Sequence, residues 1–274
     1  MNTFFLDRLN SEPHALAFAG QSTPWPVTLA DQSANPVLDE ALHTHADAAQ
    51  ALLYPVSADL LATTGRPVDL FGFEPNPARL GAAAAASASV PGIALAQLGA
   101  LLDAASLGYN PAVAKPVAVL GHSQGVLAVH MVQAIVEAGS IEAASAQIDE
   151  ILAIATLIGV AGTRQARQLG LAARHGEATP MLSVKDITRA QVDALIKRVS
   201  GARGPIAVAV TNSATHYVLS GYPEDLAAFG VEVAKEHKHQ AKLREEKVRG
   251  GRVFEPVLEY LDVTLPFHSP LMAE

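Results

Sequence analysis

Cysteine is absent from all 274 residues, which excludes a disulfide framework, a thiolate nucleophile and any Cys-based zinc site. Charge is sparse too. Only 17% of residues are charged, and 19 Lys and Arg face 27 Asp and Glu, for a net charge of −8. A general nucleic-acid binder needs the basic surface this balance denies. No uninterrupted apolar run reaches the about 18 residues expected of a membrane span. The start, Met1 to Arg8, lacks a basic segment followed by a long apolar run, so no secretion signal is read there. These absences lead to the expectation of a cytoplasmic protein that binds neither nucleic acid nor membrane. What is present is half hydrophobic, enough for one large domain or two smaller ones around a real core.

The charge is unevenly spread. From Lys235 to Arg252, seven basic residues stand against three acidic ones. Such a stretch suits either an anionic substrate or carrier protein, or a solvated helix and loop, and the sequence leaves both open.

Apolar patterning divides the chain near residue 175. Before it, residues 14–21 read as a first buried strand. Residues 36–63 fit a helix interrupted at Pro55, and Gly65 to Ala82 is loop-like. Pro91 suits the first turn of a helix through Leu107. A further helix is expected from Ile148 to about Gln168. After it, Pro180–Val184, Ile206–Val210, His216–Ser220 and Val263–Phe267 read as strands, with helices opened by Thr188 and Pro223. Thr188 and Gln191 have capping-box spacing. The order β-α-β-β-α-β is the split unit of a ferredoxin-like domain.

The chemistry-bearing motif is Gly121-His122-Ser123-Gln124-Gly125. Before it, Pro116–Leu120 is apolar and Val-rich, as a buried strand would be. After it, Val126–Ala138 is long enough for a helix that Gly139 can end. Strand, G-x-S-x-G and helix make a nucleophile elbow, which lifts Ser123 Oγ into a cleft at a helix N-terminus. The bland alternative is a glycine-rich turn holding an ordinary serine.

A serine hydroxyl needs a base. His122 must point away from its neighbour at so sharp a turn. His43 with His45, and His237 with His239, have H-x-H spacing without a companion carboxylate and read as surface helix histidines. His14, His130, His175 and His216 have no distinguishing context. His268 follows the expected last strand between Pro266 and Pro270, over Phe267, and so has the rigidity a general base requires. The expected oxyanion donors are the backbone N–H of Gln124 and one at Gly20-Gln21, where glycine allows close approach.

Ala17-Phe18-Ala19-Gly20-Gln21, the Ser123 elbow, Asn212-Ser213 before Val218–Gly221, and Pro266-Phe267-His268-Ser269 occur in that order, and together they resemble the acyl-CoA:acyl-carrier-protein transacylases. The elbow glutamine, Lys247–Val257 and Phe267–Pro270 look like the N-terminal acetyltransferase region of actinobacterial type I fatty acid synthase. The resemblance implies an α/β-hydrolase-like subdomain (residues 1–175 with 263–274), a parallel sheet carrying the nucleophile elbow. Into it is inserted a ferredoxin-like α+β subdomain (176–262).

It also implies a Ser123–His268 pair whose imidazole is oriented by a backbone carbonyl beyond the histidine. The chain ends six residues after His268, so either it is a piece of a longer polypeptide, the favoured expectation, or the pair is incompletely supported. Malonyl-transferring relatives hold a carboxylate with an arginine at the position aligned here with Ile158. The stretch Ala155–Thr163 carries no charge, although Arg164 and Arg167 follow closely. The implied substrate is acetyl-CoA or another short uncharged acyl-CoA. The implied acceptor is phosphopantetheine on an acyl carrier protein, within a multienzyme synthase and without a permanently bound cofactor. His122 and Ile158 are carried over as substrate-binding positions, and Asn212 as bordering the pantetheine channel. The rivals are a serine hydrolase or thioesterase, and a non-catalytic assembly module of a large synthase.

Overall fold

The computed structural model describes residues 8–21, 23–64, 70–72, 86–171, 178–199, 201–245 and 254–273, without the side chains of 53–64. Most of the expected loop over residues 65–82, His175, and most of Lys247–Val257 therefore lie outside the described residues. The chain forms two compact units, Met1–Arg164 and Gln165–Glu274.

In the first unit, β1 (Ala15–Phe18) and β2 (Ala118–Gly121) pair in parallel, with Ala15 opposite Ala118 and Phe18 opposite Gly121. A parallel pair needs a long crossover. Here it contains α1 (Trp25–Ser33), α2 (Pro36–Thr64), α3 (Ala86–Ser106) and α4 (Pro111–Ala114). Helix α3 is the core of this unit and is buried almost throughout from Ala86 to Leu101. Its small side chains allow that. The only tryptophan, Trp25, is fully buried on α1 and its ring lies over Gly92, where a Cβ would come within 2.5 Å. Thr163 Oγ1 accepts a 2.9 Å hydrogen bond from Ser87 N and so satisfies one free donor in the first turn of α3.

Two expectations based on proline fail. Helix α3 begins at Ala86, so Pro91 lies inside it and not in its first turn. Pro91 removes one hydrogen bond, but alanine's high helix propensity and burial on all sides carry the helix through. Likewise α2 continues past Pro55 to Thr64. The expected stop after α5 (Val126–Ala138) does form. Gly139 takes φ +91°, and its N–H bonds Ile135 O at 2.8 Å. Helix α6 (Ser145–Gln168) runs across the division between units. By length and composition α3 and α6 could each cross a membrane, a property the search for uninterrupted apolar runs missed. Helix α3 is mostly buried, as a core helix is.

The second unit is an antiparallel sheet ordered β4-β5-β3-β6, built from β3 (Met181–Lys185), β4 (Ala207–Ser213), β5 (His216–Ser220) and β6 (Val257–Tyr260). With α7 (Arg189–Ile196) after β3 and α8 (Pro223–Glu245) after β5, it has the ferredoxin-like arrangement. Period-2 alternation sorts its side chains. Leu182, Val184, Tyr217 and Leu219 join Val192, Leu195, Leu226 and Phe229 in one core. Met181 and Val218 lie with Val263 on the other face. The Thr188–Gln191 capping box forms as expected.

The closing strand is β6, not Val263–Phe267. Leu261 N still bonds Met181 O at 3.0 Å, and then Val263 N turns back to Leu261 O at 2.8 Å. That three-residue turn lifts the chain off β3, and Pro266 has no N–H with which to rejoin it. His268 therefore sits in a turn, not at a strand end. The β4–β5 hairpin closes on Ala214 and Thr215 alone, so Asn212 belongs to β4 and not to a connecting loop.

Candidate active site

The elbow is built by steric necessity. Ser123 takes φ +52°, a left-handed conformation that a non-glycine residue holds only under constraint. It opens a single 3-10 turn, Ser123–Gly125, between β2 and α5, closed by a 2.9 Å bond from Gly125 N to His122 O. Both motif glycines are obligatory. A Cβ on Gly121 would lie 2.5 Å from Val126 N, and one on Gly125 would lie 2.3 Å from Phe18 O. His122 N bonds Phe18 O at 2.9 Å, which ties the elbow to the end of β1, while its side chain is exposed. No hydrogen bond involving the His122 imidazole is among those described.

The expected oxyanion segments meet. A Cβ on Gly20 would lie 2.6 Å from His122 O and 3.4 Å from Gln124 N, so the Gly20-Gln21 backbone passes directly over the elbow. Side chains hold it there. Gln97 Nε2 donates to Ala19 O at 2.6 Å, and Thr23 Oγ1 donates to Gly20 O at 2.6 Å. Ser89 Oγ donates to Gln21 Oε1 at 3.2 Å. Gln21 Nε2 donates to Gln124 Oε1, and Gln124 Nε2 donates to Val90 O. Ser89, Val90 and Gln97 all lie on α3. Their part could not be read from the sequence, where they look like ordinary positions of an alanine-rich helix.

Ile158 lies on α6 in the first unit and is 44% exposed, beside the buried Gly159 and one turn after the exposed Ile154. Arg164 and Arg167 are also exposed on this helix.

His268 and Asn212 belong to the second unit. His268 has φ +55°. Phe267 packs against the Met181, Val218 and Val263 cluster beneath it. Ser269 Oγ then accepts from Leu271 N at 3.1 Å, and Gln165 Nε2 donates to Leu271 O at 3.1 Å. On the sheet, Asn212 Nδ2 and the buried Ser183 Oγ both approach His216 Nε2, at 3.4 and 3.1 Å. The sequence had assigned His216 no context, because strand pairing across 33 residues creates it.

Two histidines read as surface residues are not. His45 is 8% exposed, and its Nδ1 lies 2.6 Å from Asp149 Oδ1, joining α2 to α6. His237 Nδ1 is 2.6 Å from Phe254 O. His43 is exposed and stacks on Phe71 at 3.7 Å. The described part of the basic stretch is the solvated end of α8, where Lys235 pairs with Glu232 at 2.6 Å. Among the described residues, no group of three His, Asp or Glu side chains is placed to hold a metal ion.

Residues 180–260 match the family described as the fatty acid synthase central AT domain. The fatty acid synthase beta subunit hexB of Dothistroma septosporum is 27% identical over 169 residues, covering 57% of this chain but 9% of that protein. The malonyl CoA-acyl carrier protein transacylase of Coxiella burnetii superposes with a TM-score of 0.52 at 19% identity, over 95% of this chain and 65% of that one. The malonyl-transacylase of a type II polyketide synthase, solved in complex with its acyl-carrier protein, gives 0.54 at 18%, over 95% and 66%. The loading acyltransferase of the avermectin modular polyketide synthase also gives 0.54 at 18%, over 94% and 64%. The chain thus spans about two thirds of these solved structures and about a tenth of the curated relative. These superpositions establish the fold as α/β-hydrolase-like with a ferredoxin-like subdomain.

Proposed function

We propose that this chain is an acyltransferase of the fatty acid synthase type, as its similarity to the central AT domain and to a fatty acid synthase beta subunit supports, and that it moves an acetyl or other short uncharged acyl group from coenzyme A, through Ser123, to the phosphopantetheine thiol of an acyl carrier protein. The observation that carries it is the elbow, a serine held at φ +52° with a second backbone segment packed against its following amide. The reaction runs in two halves. Ser123 Oγ adds to the thioester carbonyl while His268 takes its proton, and the N–H groups of Gln21 and Gln124 hold the oxyanion. Collapse expels the CoA sulfur, which receives the proton from His268, and leaves an acyl ester on Ser123. The pantetheine thiol then attacks that ester in the same manner, and the proton returns to Ser123. Coenzyme A and the carrier's phosphopantetheine are substrates, and no resident cofactor takes part. The chemistry is assigned to residues 1–175 with 263–274, residues 176–262 form the ferredoxin-like companion, and the setting is cytoplasmic.

Preference for an uncharged acyl group rests on α6. Ala155–Thr163 has no ionisable side chain, and the family resemblance aligns Ile158 with the arginine that malonyl-transferring relatives use to hold a carboxylate. A carboxylate taken out of water into an apolar pocket without a partner costs several kcal/mol. Because malonyl transacylases share this fold, malonyl-CoA is the decisive competing donor. Wild type and Ser123→Ala are incubated with acetyl-, propionyl-, butyryl- and malonyl-CoA, and the adduct mass on the protein is read. Acetyl on wild type alone is the expected result. A malonyl adduct exceeding acetyl overturns the donor assignment, and no adduct with any donor overturns acyl transfer. Competition between pantetheine thiol and water as acceptors separates the transferase from a hydrolase.

A further inference from the structure

We infer that the side chains of Gln21 and Gln124 form a clasp that sets the separation of the two oxyanion donors, so that both glutamines are positioning residues in addition to lending their backbone N–H groups. The inference rests on the proposed acyl transfer and adds to it the device that keeps the two donors in register.

The direction of the clasp is dictated by its last member. Val90 O is a carbonyl and can only accept, so Gln124 must turn Nε2 toward it. Gln124 then presents Oε1 to Gln21, and Gln21 must answer with Nε2. Gln21 Oε1 is left facing Ser89, whose hydroxyl donates to it at 3.2 Å. Every amide group described in the chain of contacts has one consistent orientation, and both ends finish on α3, the most buried helix of the unit. Gln21 and Gln124 are 103 residues apart in sequence. Gln97 and Thr23 pin the carbonyls of Ala19 and Gly20 on the same loop. The loop and the elbow are therefore referenced to one rigid element, and a short link between their side chains fixes their mutual spacing. An oxyanion hole depends on that spacing, because donors must sit at hydrogen-bond distance from an oxygen that exists only in the transition state. Removing one donor outright costs about 10²–10³ in rate. Loosening its position is expected to cost about 10- to 100-fold.

Gln21→Ala, Gln124→Leu and the double variant are prepared in the full 274-residue chain and compared by single-turnover acylation and by amide hydrogen exchange. The expected result is a 10- to 100-fold lower acylation rate at saturating acyl-CoA with half-saturation unchanged, and a double variant no slower than about threefold below the worse single one, since the two side chains act as a unit. Exchange is expected to quicken in peptides covering residues 19–21 and 122–126 and to stay constant in the second unit. Gln124→Glu, which places a carboxylate oxygen against Val90 O, is expected to match or exceed the loss in Gln124→Leu. Rates within twofold of wild type, a loss confined to half-saturation, or multiplicative single effects would overturn the clasp. If wild type forms no adduct with any acyl-CoA, acyl transfer falls while the exchange comparison still decides the clasp: unchanged exchange at both segments refutes it.

Discussion

Ser123 and His268 share an uncommon backbone signature, φ of +52° and +55°, but the two units enforce it by different means. At Ser123 the cause is backbone crowding. A strand must become a helix within three residues, and at both flanking glycines an added Cβ would meet backbone atoms at 2.5 and 2.3 Å. At His268 the cause is packing at a distance. Phe267 is held in the Met181, Val218 and Val263 cluster, and the following turn is tied to Gln165. A strained conformation costs about 1–3 kcal/mol and persists only where its surroundings over-determine it. The same cost is thus met by backbone packed on backbone, including the end of β1 at Phe18, in one unit and by side-chain contacts in the other.

The sharpest test of the pairing is chemical. Ser123→Ala and His268→Ala are each expected to reduce acyl transfer by at least about 10³-fold, read as adduct formation under single turnover. A His268→Ala variant within tenfold of wild type would leave the second unit without a catalytic role and end the comparison. Next in size is the steric frame. Gly125→Ala drives a methyl group into the Phe18 carbonyl and is expected to cost about 3 kcal/mol in thermal or denaturant unfolding. In the second unit, Gly201 has φ +70° with nothing within 4 Å of a Cβ, so Gly201→Ala should cost only about 1 kcal/mol. Gly125 has a negative φ of −56°, so equal costs would mean that the chain around it yields to the added methyl group and that close approach does not require glycine there.

Between those two costs falls the His45–Asp149 pair of the first unit. Asp149→Ala leaves His45 without its carboxylate and should cost about 2 kcal/mol, checked by denaturant midpoint at unchanged slope. The smallest effect belongs to the second unit. Gln240 donates to Glu236 at 2.7 Å and Arg198 donates to it at 2.8 Å, and these bonds hold its pKa below the ordinary glutamate value. A depressed folded-state pKa means the stabilisation is present above the ordinary glutamate range, about 4.3, and is lost as pH falls through the lower folded value. Arg198 is half-exposed, so the contribution should be under about 1 kcal/mol. Glu236→Gln is expected to narrow the stability difference between pH 7 and 3.5, and an unchanged difference would assign the acid sensitivity elsewhere.

Much of the fold was legible because its signals are short-range. The Thr188 capping box, the Gly139 stop, the β3, β4 and β5 strands and the elbow each depend on a few neighbouring residues. The misreadings have one source. Pro91, Pro55 and Pro266 were judged by local preference, whereas the structure tolerates the first two inside long helices and leaves the third off the sheet. Helix burial overrides one missing hydrogen bond, while a strand end is decided by whether a neighbour still offers partners. His45 and His237 were misread for a related reason, since a histidine's partner is invisible until two helices or a helix and a loop are brought together.

The amino-acid order alone determined that a serine would stand at a strand-to-helix break with a glycine-bearing segment suited to approach it, because torsional limits and side-chain periodicity act between near neighbours. Folding decided the glutamine clasp, the His45–Asp149 pair and the Ser183–His216 contact, whose partners lie 33 to 104 residues apart. Contacts at such separations are chosen by which surfaces pack well enough to repay loop closure, and that choice is made by the whole chain at once.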